Sequence, residues 1–249
     1  SAGIEPPQQV YGHGFLTKDG QKMGKSLGNI LDPISLVRRY GADAVRYYFL
    51  KEIEFGRDGD FNETRFVQIL NADLANDLGN LLNRTLKMVH KYCGATVPAV
   101  APNSATAAAS LAEIGRSLGD RVASAYRSLS FNEACDAILT LARAGNKYLD
   151  EMAPWTLYKQ GQQEMVEQIL YTVLESVRLA AFLLSPITPN LSTAIYRQLG
   201  FNVKWNAPRL DPEVTFNYHA RWGVLPPGQS LADPQPVFQK LERLETLTL

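Results

Sequence analysis

Apolar positions fall into two regimes along the chain. From Phe66 onward they recur at three and four residues: Phe66, Ile69, Leu70, Leu74, Leu78, Leu81, Leu82 and Val89, then Leu111, Ile114, Leu118, Val122 and Ala125. That is the period of helices that bury one face. Ser130-Phe131-Asn132-Glu133 has the order of a capping box and opens a third helix. It runs to about Met152, and Pro154 stops it. A fourth helix covers Gln163–Leu184; Pro186 ends it, and Thr188-Pro189 reads as the N-cap and first-turn proline of a fifth. The stretch 98–109, rich in Ala, Pro and Ser, is expected to be a surface loop. From Trp205 onward Pro and Gly are frequent, and the tail is expected to pack irregularly on the helices.

The first sixty residues are shorter in period. A strand is expected within Gln9–Thr17, and Lys18-Asp19-Gly20 is a turn signal, since Asp-Gly tolerates positive φ. A polar loop follows to Asn29, then short helices near Ile34–Tyr40 and Asp43–Lys51, then a loop over Glu54–Asp60. The fold class is mainly α: a helical bundle behind a small mixed segment. The expected division is 1–60, 61–200 and 201–249.

Composition narrows the function. Basic and acidic residues balance at 25 each, which argues against a non-specific nucleic-acid coat but leaves room for a local basic patch. Two cysteines, Cys93 and Cys135, and three scattered histidines do not supply a zinc site, so no metal is expected. Cysteine usage is that of a reducing compartment. The N-terminus has neither the basic start nor the apolar run of a signal peptide, and no stretch is apolar enough to span a bilayer. The chain does not begin with Met and is expected to be a fragment or processed product.

Two local patterns carry chemistry. In Lys22-Met23-Gly24-Lys25-Ser26-Leu27-Gly28-Asn29, two lysines flank a glycine, with a serine and a second glycine behind. Glycine lets the backbone turn amides toward an anion, and lysines neutralise phosphate charge; a solvated basic turn reads as well from these residues alone. On the first long helix, Asn76, Asn80, Asn83, Arg84, Lys87 and Lys91 cluster opposite Leu74, Leu78 and Leu81. Asparagine and arginine read base edges and phosphates, although any bundle helix has a polar outer face. Trp155 follows Pro154 and reads either as a core plug or as a stacking platform.

The lysine run resembles the KMSKS signature of class I aminoacyl-tRNA synthetases. Leu27-Gly28-Asn29, Asp32-Pro33 and Gly41-Ala42-Asp43-Ala44-Val45-Arg46 continue the pattern in order. Gly24 departs from it, standing where the motif has serine. Asn80 with Arg84, Asp150-Glu151 before Ala153-Pro154-Trp155, and Trp222-Gly223-Val224-Leu225-Pro226 are similar to the methionine branch of the class.

The resemblance implies ATP-dependent methionine activation by the full enzyme with Mg2+, with none bound by this chain alone. It implies that Lys25, assisted by Lys22, stabilises pyrophosphate in a site formed by Lys22, Met23, Gly24, Lys25 and Ser26. It further implies that Trp155 stacks on the first base of a CAU anticodon of tRNA(Met), and that Asn80 and Arg84 bond to bases of the loop. Asp150 is expected to orient Arg84. The HIGH motif of the class is not found here, and Gly12-His13-Gly14 lacks its second histidine. A missing N-terminal catalytic half is therefore expected, leaving this chain unable to form adenylate alone. A monomer, in a bacterial cytoplasm or an organelle, is the expectation. The alternatives are a stand-alone tRNA-binding module, the equivalent part of a leucine, isoleucine, valine or cysteine synthetase, or a purely structural bundle.

Overall fold

In the computed structural model, residues 3, 5–99, 106–202 and 216–242 are described, with the side chains of 106–108 left aside. Trp205 and residues 100–105 of the 98–109 stretch lie outside them, and the surface-loop expectation is corrected at 106–109, which are helical.

The turn signal at Asp19-Gly20 is realised. Both residues have positive φ, 52° and 73°, and they join β1 (Leu16–Lys18) to β2 (Gln21–Lys22) as an antiparallel hairpin. The expected strand is thus confined to the end of its range. The 54–60 loop reading is corrected, since its last two residues open β3 (Gly59–Phe61), which pairs parallel to β1 and makes the sheet order β2-β1-β3. Three residues are too few to show an alternating pattern, and what holds β3 is tertiary. Asp60 Oδ1 accepts from Thr17 Oγ1 at 2.6 Å and from Gly20 N at 2.8 Å.

The two short helices form close to their expected bounds as α1 (Pro33–Tyr40) and α2 (Ala42–Glu52). Asp32 caps α1 by accepting from the amides of Ile34 and Ser35. The bundle follows as α3 (Glu63–Leu70), a π-helical stretch (Asn71–Asn80) and α4 (Leu81–Tyr92), all wound as one continuous rod. The remaining helices are α5 (Thr106–Arg127), α6 (Phe131–Met152), α7 (Pro154–Lys159), α8 (Gln163–Leu184), α9 (Pro189–Gln198) and α10 (Phe216–His219).

The π stretch has a reason in the sequence. Leu70, Leu74, Leu78, Leu82 and Leu86 repeat every four residues, and each is at most 1% exposed. An α-helix would rotate such a series off its buried face by about 40° per step, because it turns every 3.6 residues. The wider i→i+5 winding absorbs that drift.

Two expected caps are in place as positions but not as bonds. Ser130 and Thr188 precede α6 and α9, yet neither side chain caps its helix. The Ser130 hydroxyl meets Ser128 Oγ at 3.1 Å instead, and the N-terminus of α9 is capped from another element. Asp43 of α2 accepts from Leu191 N at 2.7 Å and from Asn190 Nδ2 at 3.0 Å. Three residues on, Arg46 donates to the carbonyls of Ile187 and Pro186 at 2.9 and 2.7 Å. These two side chains lock α2 onto the α8–α9 corner.

α8 is the central column, with seventeen buried positions. They include Glu175 and Arg178, a fully buried ion pair at 2.7 Å. Arg178 also donates to the carbonyls of His219 and Arg221, and Glu175 accepts from the amides of Gly223, Val224 and Leu225. The described part of the tail is therefore fastened by buried charges as well as by packing of Leu225 and Leu231.

His219 lies beside this pair, is 7% exposed, and its Nδ1 has no hydrogen-bond partner among the described residues. Burial, then the neighbouring Arg178 guanidinium, lowers its pKa. A histidine that resists protonation when folded contributes stability that is complete above its ordinary value of 6.5. That contribution declines as pH falls from there through the lowered folded value. Urea midpoints are expected to fall between pH 7 and 5.5, and His219→Gln is expected to flatten that part of the profile.

Candidate nucleotide and RNA sites

The lysine loop is built around Asn29. Its side chain accepts from Gly24 N at 2.9 Å and donates to Lys22 O at 3.1 Å, closing the loop across its base. Lys25–Leu27 forms a single 3-10 turn, ended by Gly28 at φ 63°, where a side chain would be strained. Met23 is partly buried, while Lys22, Lys25 and Ser26 stand in solvent. Neither lysine is in an ion pair among the described residues. Two unpaired ammonium groups on a braced loop are suited to receive a polyphosphate.

The departure at Gly24 is structurally mild. Its φ of −149° and ψ of 141° are ordinary extended backbone, and a Cβ there would meet Leu27 Cδ1 at 3.6 Å, a normal contact. Gly24 is the N-cap of the 3-10 turn, a place serine favours. Gly24→Ser is expected to change unfolding free energy by only a few tenths of a kcal/mol, measurable by chemical denaturation.

The second constellation sits on the bundle. Asn80 ends the π stretch and is exposed; Arg84 lies one turn on in α4 and is half-buried. Asp150, near the end of α6, accepts from Arg84 Nη2 at 2.6 Å. The chain then turns sharply at Ala153, whose φ is 43°. Pro154 disfavours the right-handed helical region for Ala153, which takes the left-handed one instead and serves both as the C-cap of α6 and as the N-cap of α7. Trp155 is thereby lifted out of the line of α6. It is 37% exposed and so is no core plug.

The structure thus brings Arg84 and Asp150 together and puts Asn80 on the same rod. The lysine loop belongs to a separate part of the molecule and shares no described contact with them.

Three features escaped the sequence reading. Asn80 lies in a groove of about 480 Å3 shared with Asn76, Asn83 and Lys87, whose far wall is the tail strap around Phe238 and Lys240. Paired amide contacts hold that strap: Gln198 with Gln235, and Asn71 with Leu241. Second, Arg143 of α6 bridges Asp73 and Asp77 of the π stretch at 2.7 and 2.6 Å, and Tyr47 of α2 donates to Asp73 at 2.8 Å. This chain of contacts fixes the rod against both neighbours. Third, Tyr158 stacks on Tyr92 with ring centroids 4.3 Å apart, fastening α7 to the end of α4. The Asp73–Asp77 spacing was a visible signal; the others join positions remote in sequence.

Comparisons with known proteins agree with this geometry. Residues 1–86 match a family model described as "tRNA synthetases class I (M)", and residues 97–247 match the "Anticodon binding domain of methionyl tRNA ligase". The methionine–tRNA ligase of Synechocystis sp. is 62% identical over 97% of this chain and 46% of its own length. The chloroplastic/mitochondrial enzyme of Arabidopsis thaliana is 46% identical over 97% of this chain and 38% of its own. A solved structure of Mycobacterium tuberculosis methionyl-tRNA synthetase in complex with methionyl-adenylate superposes with a TM-score of 0.83 at 37% identity, over 95% of this chain and 45% of that one. The chain thus spans about half the length of the relatives it matches. The first match takes in the lysine loop together with Asn80 and Arg84, and the second takes in Asp150 and Trp155; with the two models covering nearly the whole chain in order, the chain belongs to the methionyl-tRNA ligase family.

Proposed function

We propose that this chain supplies the anticodon-reading part and the phosphate-contacting lysine loop of a methionine–tRNA ligase, acting on tRNA(Met). The observation that carries the reading is the Arg84–Asp150 pair at 2.6 Å on a bundle that also presents a half-open tryptophan. One oxygen of Asp150 fixes the guanidinium, and the other guanidinium donors are left for an RNA acceptor. Trp155 supplies the face on which the first anticodon base stacks, and Asn80 the amide that reads a base edge.

In the lysine loop, Lys25 and then Lys22 neutralise the developing pyrophosphate while Asn29 keeps the loop closed. Met23, Gly24 and Ser26 complete that loop. ATP is the nucleotide the reading requires, with Mg2+ as its usual counter-ion. Methionine binding and the remaining catalytic groups are assigned to the segment by which the relatives exceed this chain in length. We divide the chain into residues 1–60 for the catalytic remnant and stem-contact region, 61–200 for the anticodon bundle, and 201–249 for the tail. The protein is read as a monomer of a bacterial cytoplasm or an organelle. Among the described residues no helix is long and apolar enough to cross a membrane.

The test is a titration at fixed salt with an anticodon stem-loop bearing CAU, and with one changed in the first anticodon base. CAU is expected to bind more tightly by about 1–3 kcal/mol, the contribution of one stacked base, and Trp155→Ala is expected to abolish the difference. Equal binding of both hairpins by the unmodified chain would remove the anticodon assignment.

A further inference from the structure

Trp155 is not the sole exposed aromatic of α7. Tyr158 lies three residues on, on the same side of the helix, and is 43% exposed. The axial rise between the two is about 4.5 Å, close to the roughly 3.4 Å that separates successive bases on a strand. One face of Tyr158 is backed by Tyr92 at 4.3 Å and an interplanar angle of 29°, so the ring is held rather than loose. Neither tyrosine hydroxyl is engaged in a hydrogen bond among the described residues, so the pair is not anchored by its polar ends. Lys91 places its ammonium 5.3 Å from the Tyr92 ring centre. Counting back along α4, Lys87 and Arg84 continue the same face at four and seven residues. Neither Lys87 nor Lys91 is in an ion pair among the described residues. The end of α4 that carries Lys91 thus meets α7 through the Tyr92–Tyr158 stack, and a cation and exposed aromatics share that junction, the combination with which proteins track single-stranded nucleic acid.

We infer that Tyr158, backed by Tyr92, over whose ring Lys91 lies, is a second stacking platform that takes the RNA nucleobase adjacent to the one on Trp155. The inference rests on the anticodon reading above and extends it by one nucleotide. The tyrosine ring supplies sequence-tolerant stacking, and Lys91 with Lys87 meets the phosphates on either side. The site adds affinity for the loop as a strand and leaves discrimination at the first anticodon base to Trp155.

The experiment is a set of double-mutant cycles on the full chain, between a side chain and a base. The ligand is the CAU stem-loop, intact or carrying one abasic nucleotide at either neighbour of the first anticodon position, or at that position itself. The protein is unmodified, Tyr158→Leu, Tyr158→Phe or Trp155→Leu, each checked for an unchanged thermal melt; leucine keeps an apolar contact with Tyr92. Tyr158→Leu is expected to weaken the intact hairpin about tenfold and Tyr158→Phe hardly at all. The abasic change at one neighbouring position is expected to weaken the unmodified chain similarly and to have no further effect on Tyr158→Leu. If Trp155→Leu couples to the first anticodon base but Tyr158→Leu couples to neither neighbour, the second platform is overturned and the anticodon reading stands. If neither side chain couples to any base, both fall. Should Tyr158→Leu lower the melt, Lys91→Ala serves in its place. It is expected to reduce the slope of affinity on salt by about 0.7, one single-strand phosphate contact, and an unchanged slope would overturn the proposal.

Discussion

Arg178→Met is expected to lower the stability of the chain by about 3–5 kcal/mol, the cost of stranding one member of a buried ion pair. Both side chains of the Glu175–Arg178 pair are fully buried. Burial alone would lower the arginine pKa, yet the Glu175 carboxylate outweighs it and the guanidinium is held charged. Removing it leaves a carboxylate without its counter-charge and frees the carbonyls of His219 and Arg221 inside the protein.

Replacing both partners with apolar residues often restores stability in buried pairs. Here it is not expected to, because Glu175 also accepts from three consecutive backbone amides, those of Gly223, Val224 and Leu225. Those donors would lose their partner, at about 1–3 kcal/mol for each one left unsatisfied. Urea denaturation of Arg178→Met and of the double variant with Glu175→Leu measures both points. A single variant within about 1 kcal/mol of the parent would show that the tail is held by packing alone. The motif Trp222-Gly223-Val224-Leu225-Pro226 then has a structural role: its amides dock on a buried carboxylate, and Trp222 packs so closely on Gly115 that a Cβ there would lie 2.0 Å from the indole.

Lys25→Ala, made in the longer protein we propose, is expected to reduce ATP–pyrophosphate exchange by about 100- to 1,000-fold, as for other single groups aimed at developing charge. Lys25 heads the 3-10 turn, whose geometry is set by Gly24, Gly28 and Asn29 rather than by the lysine, so its removal leaves the loop braced. Lys22→Ala is expected to have the smaller effect of an assisting charge. Hairpin binding should be unchanged in both, since Lys22 and Lys25 share no described contact with Asn80, Arg84 or Trp155. The converse is expected of Trp155→Ala in the same protein, with base preference lost and exchange without tRNA unchanged. A Lys25→Ala enzyme retaining more than about a tenth of its exchange rate would take the lysine out of the charge-stabilising role.

The helices were legible from the sequence because their signals are local. Apolar spacing sets which face is buried and prolines mark several ends, so α1, α2, α6, α8 and α9 fall within one or two residues of the positions read from the chain, although of these only α1 is capped by its own N-cap side chain. The Asp19-Gly20 turn is local too, since its positive φ values depend on residue type. Residue type and spacing left the lysine loop open to reading as a solvated turn, Asn80 and Arg84 as a polar outer face and Trp155 as a core plug; the resemblance to class I synthetases is what singled out these residues and Asp150. What the tertiary structure alone decided involves partners far apart in the chain. β3 is a strand because β1 lies beside it, forty-odd residues away. Thr188 leaves the capping of α9 to Asp43, whose position relative to α9 no local pattern encodes. Arg84 meets Asp150 at a separation of 66 residues, and Tyr92 meets Tyr158 at the same 66. Spacing along a chain determines which face a residue takes on its own helix; which residue of another helix it then faces depends on how the packed core sets the two helices side by side.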